Sequence, residues 1–482
     1  MRNAFKNLIL LISLSLFTEF SFAQYYRLIA IGSMHIAVED MDNELNLYDF
    51  GENPAWVIND EIQNRIWMHT SYDKSRGEYK RTYDPYGLNL YDIRFLRVQT
   101  LGNSGTFKGW ASYSGEIREK LYGSLLLSPY DGKAFFVTDT TTGNFRYQII
   151  RIGFDYGIEV LKHIYAGINV NYNLVDGLKD IYTRARDIYR QVHISPALAI
   201  QITRNLNIGF KLAISNWHEK IEAKSEDLYD AEVYLYRGNL YAVKKISNVI
   251  DLKLKERDIG LGIQTIYKPN DNFQLGIKLN LKQTGQYILI PYGLLKEYEF
   301  GYTNFYEFNM NFLSRLKLNR KSTVGATLKY EYSDIWSKHS PRNLLLWKEK
   351  IKNFEIGLGL WSNLLNPISA GIELLYKNSS ADSMKYIDNI FKLIKGDNYT
   401  LKIGSEFKIN KITLRMGFNY MFSTKDLTLG GDNVNYSSLS FGISYNPVAD
   451  MIFVLGKSYA KIDQTEISVR RDMLKLILIL KF

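Results

Sequence analysis

Two pairs of side chains have the types and the spacing of a base beside a nucleophile: His69 with Ser71, and His193 with Ser195. Residues two apart in an extended strand project from one face, so each imidazole lies beside a serine hydroxyl. Polar residues share the face of each pair, whereas the opposite face near the second pair is apolar (Val192, Ile194, Leu198, Ile200, Ile202). Whether these pairs can act depends on where the polar face points.

Other chemistry is sparse. The chain has no cysteine, which excludes disulfides and thiolate metal sites, and its six histidines show no ligand spacing. The glycine-containing loops at 102–105 and 430–431 lack the strand–loop–helix context of a phosphate-binding fingerprint. The sequence therefore predicts no metal site and no cofactor.

The elements that would position such residues are strands. Apolar and polar residues alternate over residues 411–422 and again over 438–446, which is the period of a strand with one apolar face. The same alternation closes the chain at 473–482, where the apolar face ends on Phe482. A charge on a lipid-facing side costs roughly 2–4 kcal/mol, so polar faces of this kind point into a lumen.

Composition and connections favour a transmembrane barrel. The chain has 482 residues, 14% of them aromatic, and only nine prolines. Short turns are predicted near 101–105, 129–133, 161–164, 204–207, 269–272, 318–321, 363–366, 410–411 and 446–450. They alternate with longer polar connections at 74–89, 140–145, 177–188, 219–257, 286–301, 334–350, 378–398, 423–435 and 461–471. The exception is 117–120, where a short connection stands in place of a long one. We predict an all-β, antiparallel, up-and-down transmembrane β-barrel of about 18–20 strands, within a range of 14–20. Residues 121–139 are the weakest hairpin, and its loss gives eighteen.

In such a barrel both His-x-Ser pairs face the lumen. Outer-membrane phospholipases and lipid A deacylases resemble one another in a His-x-Ser pair that is presented to lipid. The pairs of this chain have the opposite orientation, so we predict that it is not an enzyme.

Both ends of the chain indicate export to an outer membrane. Residues 1–23 combine a basic start, an apolar run and Ser21-Phe22-Ala23, as in a cleavable signal peptide. No stretch approaches the 18 apolar residues of a membrane-spanning helix. The last strand resembles the carboxy-terminal assembly signal of bacterial outer-membrane proteins, carried here by Leu476, Leu478, Leu480 and Phe482.

An acidic segment precedes the barrel, which we place at 62–482. Residues 24–61 hold eight acidic residues and one basic residue, whereas the whole chain carries +10. Two interpretations fit: a plug or hatch held in a basic barrel mouth, or a periplasmic tail that is merely acidic. Apolar residues between 45 and 58 favour the plug, whose candidate residues are Glu39, Asp40, Asp42, Glu44, Asn53, Pro54, Ala55 and Trp56.

Residues 42–56, and Asn53-Pro54-Ala55 above all, resemble the amino-terminal segment of FadL-type outer-membrane proteins, including barrels of Bacteroidota. That family usually has glycine where this chain has Trp56. The resemblance implies a hatch in the barrel mouth and, in long-chain fatty-acid transporters, lateral exit of hydrophobic substrates through the wall.

Two functions fit these observations. The first is a passive or hatch-gated channel or transporter for small or hydrophobic solutes. The alternative is a non-enzymatic scaffold, or a secretion or surface-assembly component. Expected partners are outer-membrane lipid and lipopolysaccharide, the outer-membrane assembly machinery, and a protein partner at the extracellular loops or the periplasmic side. An exported barrel meets no nucleic acid.

Overall fold

The computed structural model describes residues 46–59, 65–102, 105–129, 134–135, 137–224, 230–237, 241–247, 249–292, 296–319, 321–365, 367–425, 432–448, 451–463 and 468–481. The predicted signal peptide, Glu39, Asp40, Asp42, Glu44 and Phe482 lie outside these residues.

Strands account for most of the described chain. They are β1 (Arg65–Gly77), β2 (Gly87–Leu101), β3 (Gly105–Ser124), β4 (Val137–Leu161), β5 (Ile164–Lys179), β6 (Arg186–Thr203), β7 (Leu206–Lys224), β8 (Ala231–Arg237), β9 (Tyr241–Ser247), β10 (Val249–Asn270), β11 (Phe273–Tyr292), β12 (Lys296–Lys317), β13 (Ser322–His339), β14 (Leu344–Leu365), β15 (Ile368–Lys385), β16 (Ile390–Ile409), β17 (Ile412–Lys425), β18 (Asp432–Val448), β19 (Met451–Asp463) and β20 (Ser468–Lys481). Two short 3-10 helices span Pro54–Asn59 and Ser340–Arg342. None of the described helices has the length and apolar character needed to cross a membrane.

The strands form an antiparallel up-and-down β-barrel, as predicted. Each strand of the wall pairs with the next along the chain, except that β7 pairs directly with β10. The ring is completed by β1 and β20, with Trp67 opposite Lys481 at one end and Gly77 opposite Arg471 at the other. Among the twenty described strands, eighteen therefore form the wall. The other two, β8 and β9, form a hairpin that touches the start of β4.

The tight connections lie largely where predicted, but several of the predicted long connections do not. Residues 286–301, 334–350 and 378–398 are mostly strand, and the strands there are separated only at 293–295, 340–343 and 386–389. Eight tight connections between described strands lie at one end of the wall, at 102–104, 162–163, 204–205, 271–272, 318–321, 366–367, 410–411 and 449–450. Residues 117–120 and 140–145, which were predicted to be connections, lie within β3 and β4. The predicted short turn at 129–133 falls between these two strands, mostly outside the described residues. The hairpin at 121–139 does not form because β3 pairs directly with β4 and the apolar residues between them turn inward.

The two faces of the wall have opposite character. Outward side chains such as Ile259 (61% exposed) and Leu374 (59% exposed) are apolar, and polar side chains such as Ser195 and Gln264 point inward. On β20, Leu476 is exposed on the outer face while Ile477 and Ile479 are buried inside. An apolar outer band around a polar interior is the arrangement that a bilayer requires.

Candidate functional site

The lumen contains a stretch of chain at the end of the tight turns, which we call the inner segment (Asn46–Asn59). Its 3-10 helix begins at Pro54, and the Asn53 side-chain oxygen accepts a hydrogen bond from Ala55 N–H at 3.0 Å. Asparagine before a helix supplies an acceptor for a free N–H, and proline at the first position lacks an N–H that would need one. The run Asn53-Pro54-Ala55 therefore contains the local signals that begin this helix.

The other end of the Asn53 side chain fixes the inner segment to the wall. Asn53 Nδ2 lies 3.1 Å from the backbone oxygen of Leu198, 3.3 Å from that of Phe210 and 3.1 Å from Gln264 Oε1. These acceptors belong to β6, β7 and β10, and Asn53 is fully buried. Because a buried amide that loses its partners is costly, this side chain specifies one position of the segment on the wall.

Apolar side chains fill the contact around this amide. Leu47, Ala55 and Val57 are fully buried, and the Trp56 ring meets Tyr165 edge-on with centroids 5.2 Å apart. The wall contributes small and medium side chains to the same cluster, namely Ala197, Ala199, Ile266 and Leu313.

Four glycines of the wall make room for the inner segment, and we call them the glycine seats. A Cβ at Gly167 would lie 2.5 Å from Ala55 Cα, and one at Gly157 would lie 2.8 Å from Val57 Cγ1. The same construction gives short contacts at the other two seats, 2.5 Å between Gly209 and Asn53 Nδ2 and 2.8 Å between Gly276 and Phe50 Cε1. Glycine permits this close approach of a second backbone to a sheet. The sequence analysis did not predict these four glycines as contact residues. Each lies on the lumen-facing side of its strand, with three or four residues between it and a tight turn.

Charge complementarity is present at one point of the described inner segment. Glu52 contacts Lys278 Nζ at 2.6 Å and Lys211 Nζ at 3.1 Å, on β11 and β7. Burial alone would raise the pKa of the Glu52 carboxyl, but the two ammonium groups outweigh it and hold that pKa below its usual value. Because 61% of the Glu52 side chain remains exposed, we assign each pair the modest value of a surface pair, about 0.2–1 kcal/mol.

Tyr48 extends the contact to two further strands. Its hydroxyl donates to Asp155 Oδ2 on β4 at 2.7 Å, and Lys108 Nζ of β3 lies 4.3 Å from its ring centroid. Described contacts of the inner segment thus run from β3 round to β11 along adjacent wall strands, which is one side of the barrel.

The structure brings four of the predicted plug residues together in the lumen: Asn53, Pro54, Ala55 and Trp56. The acidic candidates Glu39, Asp40, Asp42 and Glu44 lie outside the described residues, so their pairing stays a prediction. Leu476, Leu478 and Leu480 lie on the outward side of β20, where their role in assembly also stays a prediction.

Both His-x-Ser pairs lie on the lumen side. Ser195 is 2% exposed, and its hydroxyl donates to the backbone oxygen of Leu212 at 2.9 Å. His69 is 3% exposed, with Nδ1 3.7 Å from Asp92 Oδ2. The prediction that the chain is not an enzyme therefore rests on this inward placement.

A second layer, which we call the mouth cluster, fills the opposite end of the same side of the barrel. The connection after β3 folds inward and buries Leu125, Leu126 and Phe135 against the wall strands. Its backbone is fastened at Leu127, whose N–H donates to Glu219 Oε1 at 2.8 Å and whose oxygen accepts from Arg118 Nη1 at 2.7 Å. The polar inner face of the wall thus lies between two packed layers, the inner segment and the mouth cluster.

The described residues contain no group of three or more histidine, aspartate or glutamate side chains that could hold a metal ion. None of the curated proteins matches the chain in sequence.

Solved structures share the fold. OprC, a copper transporter, aligns with a TM-score of 0.52 and 8% identity, over 84% of this chain and 64% of its own. FyuA, the ferric yersiniabactin uptake receptor of Yersinia pestis, aligns with a TM-score of 0.50 and 8% identity, over 83% of this chain and 62% of its own. The chain thus spans less than two thirds of the length of either protein, and at such low identity the likeness establishes the outer-membrane β-barrel fold alone. A sequence profile matches over more than half of the chain, at residues 54–334, so the protein belongs to the DUF6850 family, a family of unknown function.

Proposed function

We propose that this protein is a non-enzymatic outer-membrane channel for small solutes, gated by its inner segment. A closed wall with an apolar outer face suits a bilayer, and barrels of 16–18 strands leave an aqueous passage unless something fills it. The proteins that share its fold include a transporter and an uptake receptor. The outer membrane is the location that this fold supports.

The seating of the inner segment carries the proposal. Its described contacts are hydrogen bonds, packing and ion pairs on one side of the wall, made possible by the glycine seats. The ring closes through β1 and β20, so unseating the segment leaves the pairing of the wall intact. A segment that can leave the lumen without unfolding the barrel wall can act as a gate.

The lumen favours water-soluble solutes. Its described inner face carries both signs of charge, as in Lys211, Lys278, Asp155 and Asp258, together with amide side chains. The strand pairing is continuous around the described wall, so the axial route is the one that the geometry supports. Lateral exit of hydrophobic solutes, which the FadL resemblance implies, would need the wall to open.

Removal and locking of the inner segment test the proposal in planar bilayers. Deleting residues 24–60 should leave an assembled barrel with raised conductance. For locking, Val57→Cys is combined with Gly157→Cys, because Val57 Cγ1 lies 2.8 Å from the position of a Gly157 Cβ. That separation is close to the roughly 3 Å between one sulfur and the partner's Cβ in a disulfide. The chain has no native cysteine to compete.

The oxidised double variant should be held in its low-conductance state, and reduction should restore the transitions. The matched controls are the double variant under reducing conditions and Val57→Cys alone under oxidising conditions. Gly157→Cys alone should itself raise the conductance, because its Cβ crowds a glycine seat. Equal conductance of the deletion variant and the full-length barrel would refute the gate.

The alternative, a scaffold for a secretion or surface-assembly partner, is favoured by one observation. The mouth cluster and the β8–β9 hairpin reduce access to the lumen at the end where a surface partner would dock. A barrel that conducts in neither form, yet loses a co-purifying protein when residues 24–60 are deleted, would support the scaffold instead.

A further inference from the structure

A row of asparagines lines the lumen on β5, between the inner segment and the mouth cluster. Asn169, Asn171 and Asn173 alternate with Val170 and Tyr172, which face outward. We call these three residues the asparagine ladder. Each amide offers two donors and one acceptor oxygen at a spacing of one strand repeat, about 7 Å for every two residues.

An aromatic ring lies beside the ladder. Trp110 of β3 packs over Gly153 of β4, where an added Cβ would lie 2.7 Å from the ring atoms Cε2 and Cζ2. The same Cβ would lie 2.1 Å from Asn171 Oδ1, so ring and ladder meet above this glycine. Trp110 remains partly exposed, so part of its ring faces the lumen.

Two oxygens of the ladder lack donors. In the part of the chain that the structure describes, Asn171 Oδ1 and Asn173 Oδ1 are buried and accept no hydrogen bond. A buried amide oxygen of this kind calls for a donor that the protein does not itself supply. Because both oxygens are almost inaccessible to solvent, a solute hydroxyl meets that need when the amide turns toward the lumen.

We infer that Trp110 and the asparagine ladder form a binding site for a neutral, hydroxyl-rich solute of the saccharide class. This rests on the proposed function, since the solute reaches the site through the lumen. A sugar ring offers an apolar C–H face to the indole and a rim of hydroxyls to the amides. The charged lumen-facing residues across from the ladder on β4 are one of each sign, Arg151 opposite Asn173 and Asp155 opposite Asn169. That balance favours a neutral ligand over an anion or a cation.

The site is connected to the inner segment by hydrogen bonds. Asn171 Nδ2 donates to Asn169 Oδ1 at 2.7 Å, and Asn169 Nδ2 donates to Asp155 Oδ1 at 2.6 Å. The other oxygen of Asp155 accepts the hydroxyl of Tyr48. A solute that draws the amide of Asn169 away changes the carboxylate that holds Tyr48, so occupancy and seating are linked.

Binding is measured without conduction, by titration calorimetry of the purified full-length barrel in detergent. Maltohexaose is the probe, and polyethylene glycol of matched size controls for entry that is merely steric. Trp110→Ala and Asn171→Ala should each weaken maltohexaose binding at least tenfold, and Trp110→Phe should recover part of the loss. Asn309→Ala, which removes a lumen-facing amide from β12, is the matched control and should bind like the wild type.

The outcomes separate this site from the channel. Binding that is lost in Trp110→Ala, in a barrel that does not conduct, supports the site and overturns the proposed function. A conducting barrel that binds no maltohexaose, or binds it equally well in Trp110→Ala, overturns the site alone. Each variant is first checked for heat-modifiable migration, so that a misfolded barrel is not counted, and Trp110→Phe supplies the test if Trp110→Ala fails to assemble.

Discussion

Replacing Gly167 by alanine should unseat the inner segment. The new Cβ would lie 2.5 Å from both Cα and N of Ala55, whereas ordinary contact begins at about 3.4 Å, so backbone must move by nearly 1 Å. Overpacking of this kind costs roughly 1–3 kcal/mol. Because every 1.4 kcal/mol is a factor of ten, the ratio of unseated to seated states should rise roughly 5- to 150-fold.

The assay is single-channel recording, with the open probability of Gly167→Ala compared with that of the wild type. The matched control is Gly115→Ala on β3, where nothing lies within 4 Å of an added Cβ. Heat-modifiability reports whether the wall itself is intact in both variants. An open probability in Gly167→Ala that equals both the wild-type and the control value would refute the seating argument.

Three further predictions concern the ion pairs of Glu52, the hydrogen bonds of Asn53 and the assembly signal of the last strand. The pKa of Glu52 is lowered in the seated state, so its two pairs stabilise seating above the ordinary carboxyl pKa and are lost as pH falls through the lowered value. At about 0.2–1 kcal/mol for each pair, open probability should rise roughly two- to thirtyfold on acidification below about pH 4.5. This pH step should vanish in Glu52→Gln. Asn53→Leu, which removes the amide from three acceptors, should raise open probability at least tenfold, while Asn205→Leu at a tight turn should leave it unchanged in the same recordings. Deleting Phe482 should reduce the heat-modifiable barrel in the outer-membrane fraction, and normal levels would count against the terminal strand as an assembly signal.

Much of the wall could be predicted from the sequence, because period-2 alternation and tight turns are local signals. The strand beginning at Ile412 shows this, since its outward and inward residues follow the pattern read from its letters. The prediction for the connection after β3 was wrong because its apolar residues have the pattern of a strand pair, whereas in the structure they pack in the mouth cluster. Whether an apolar run joins a wall or fills its interior depends on tertiary packing, which local alternation does not encode.

The candidate site was predictable only where it carried a motif. Asn53-Pro54-Ala55 could be singled out because an N-cap asparagine and a first-turn proline have local reasons to occur together. The partners of Asn53 lie on strands that are 145 to 211 residues away along the chain, so no local sequence pattern predicts them. The glycine seats were hidden for the same reason, since each looks like an ordinary strand glycine until a second backbone is placed against it.

The glycine seats provide a means of sorting the family. A relative that keeps glycine at the positions of Gly157, Gly167, Gly209 and Gly276 has room for the same stretch of chain against its wall. A relative with bulkier residues at several of these positions has lost that room, and its passage must be closed in another way or stand open. Under the proposed function, four columns of an alignment would therefore separate barrels gated in this way from the others, even where the amino-terminal sequences are too divergent to compare.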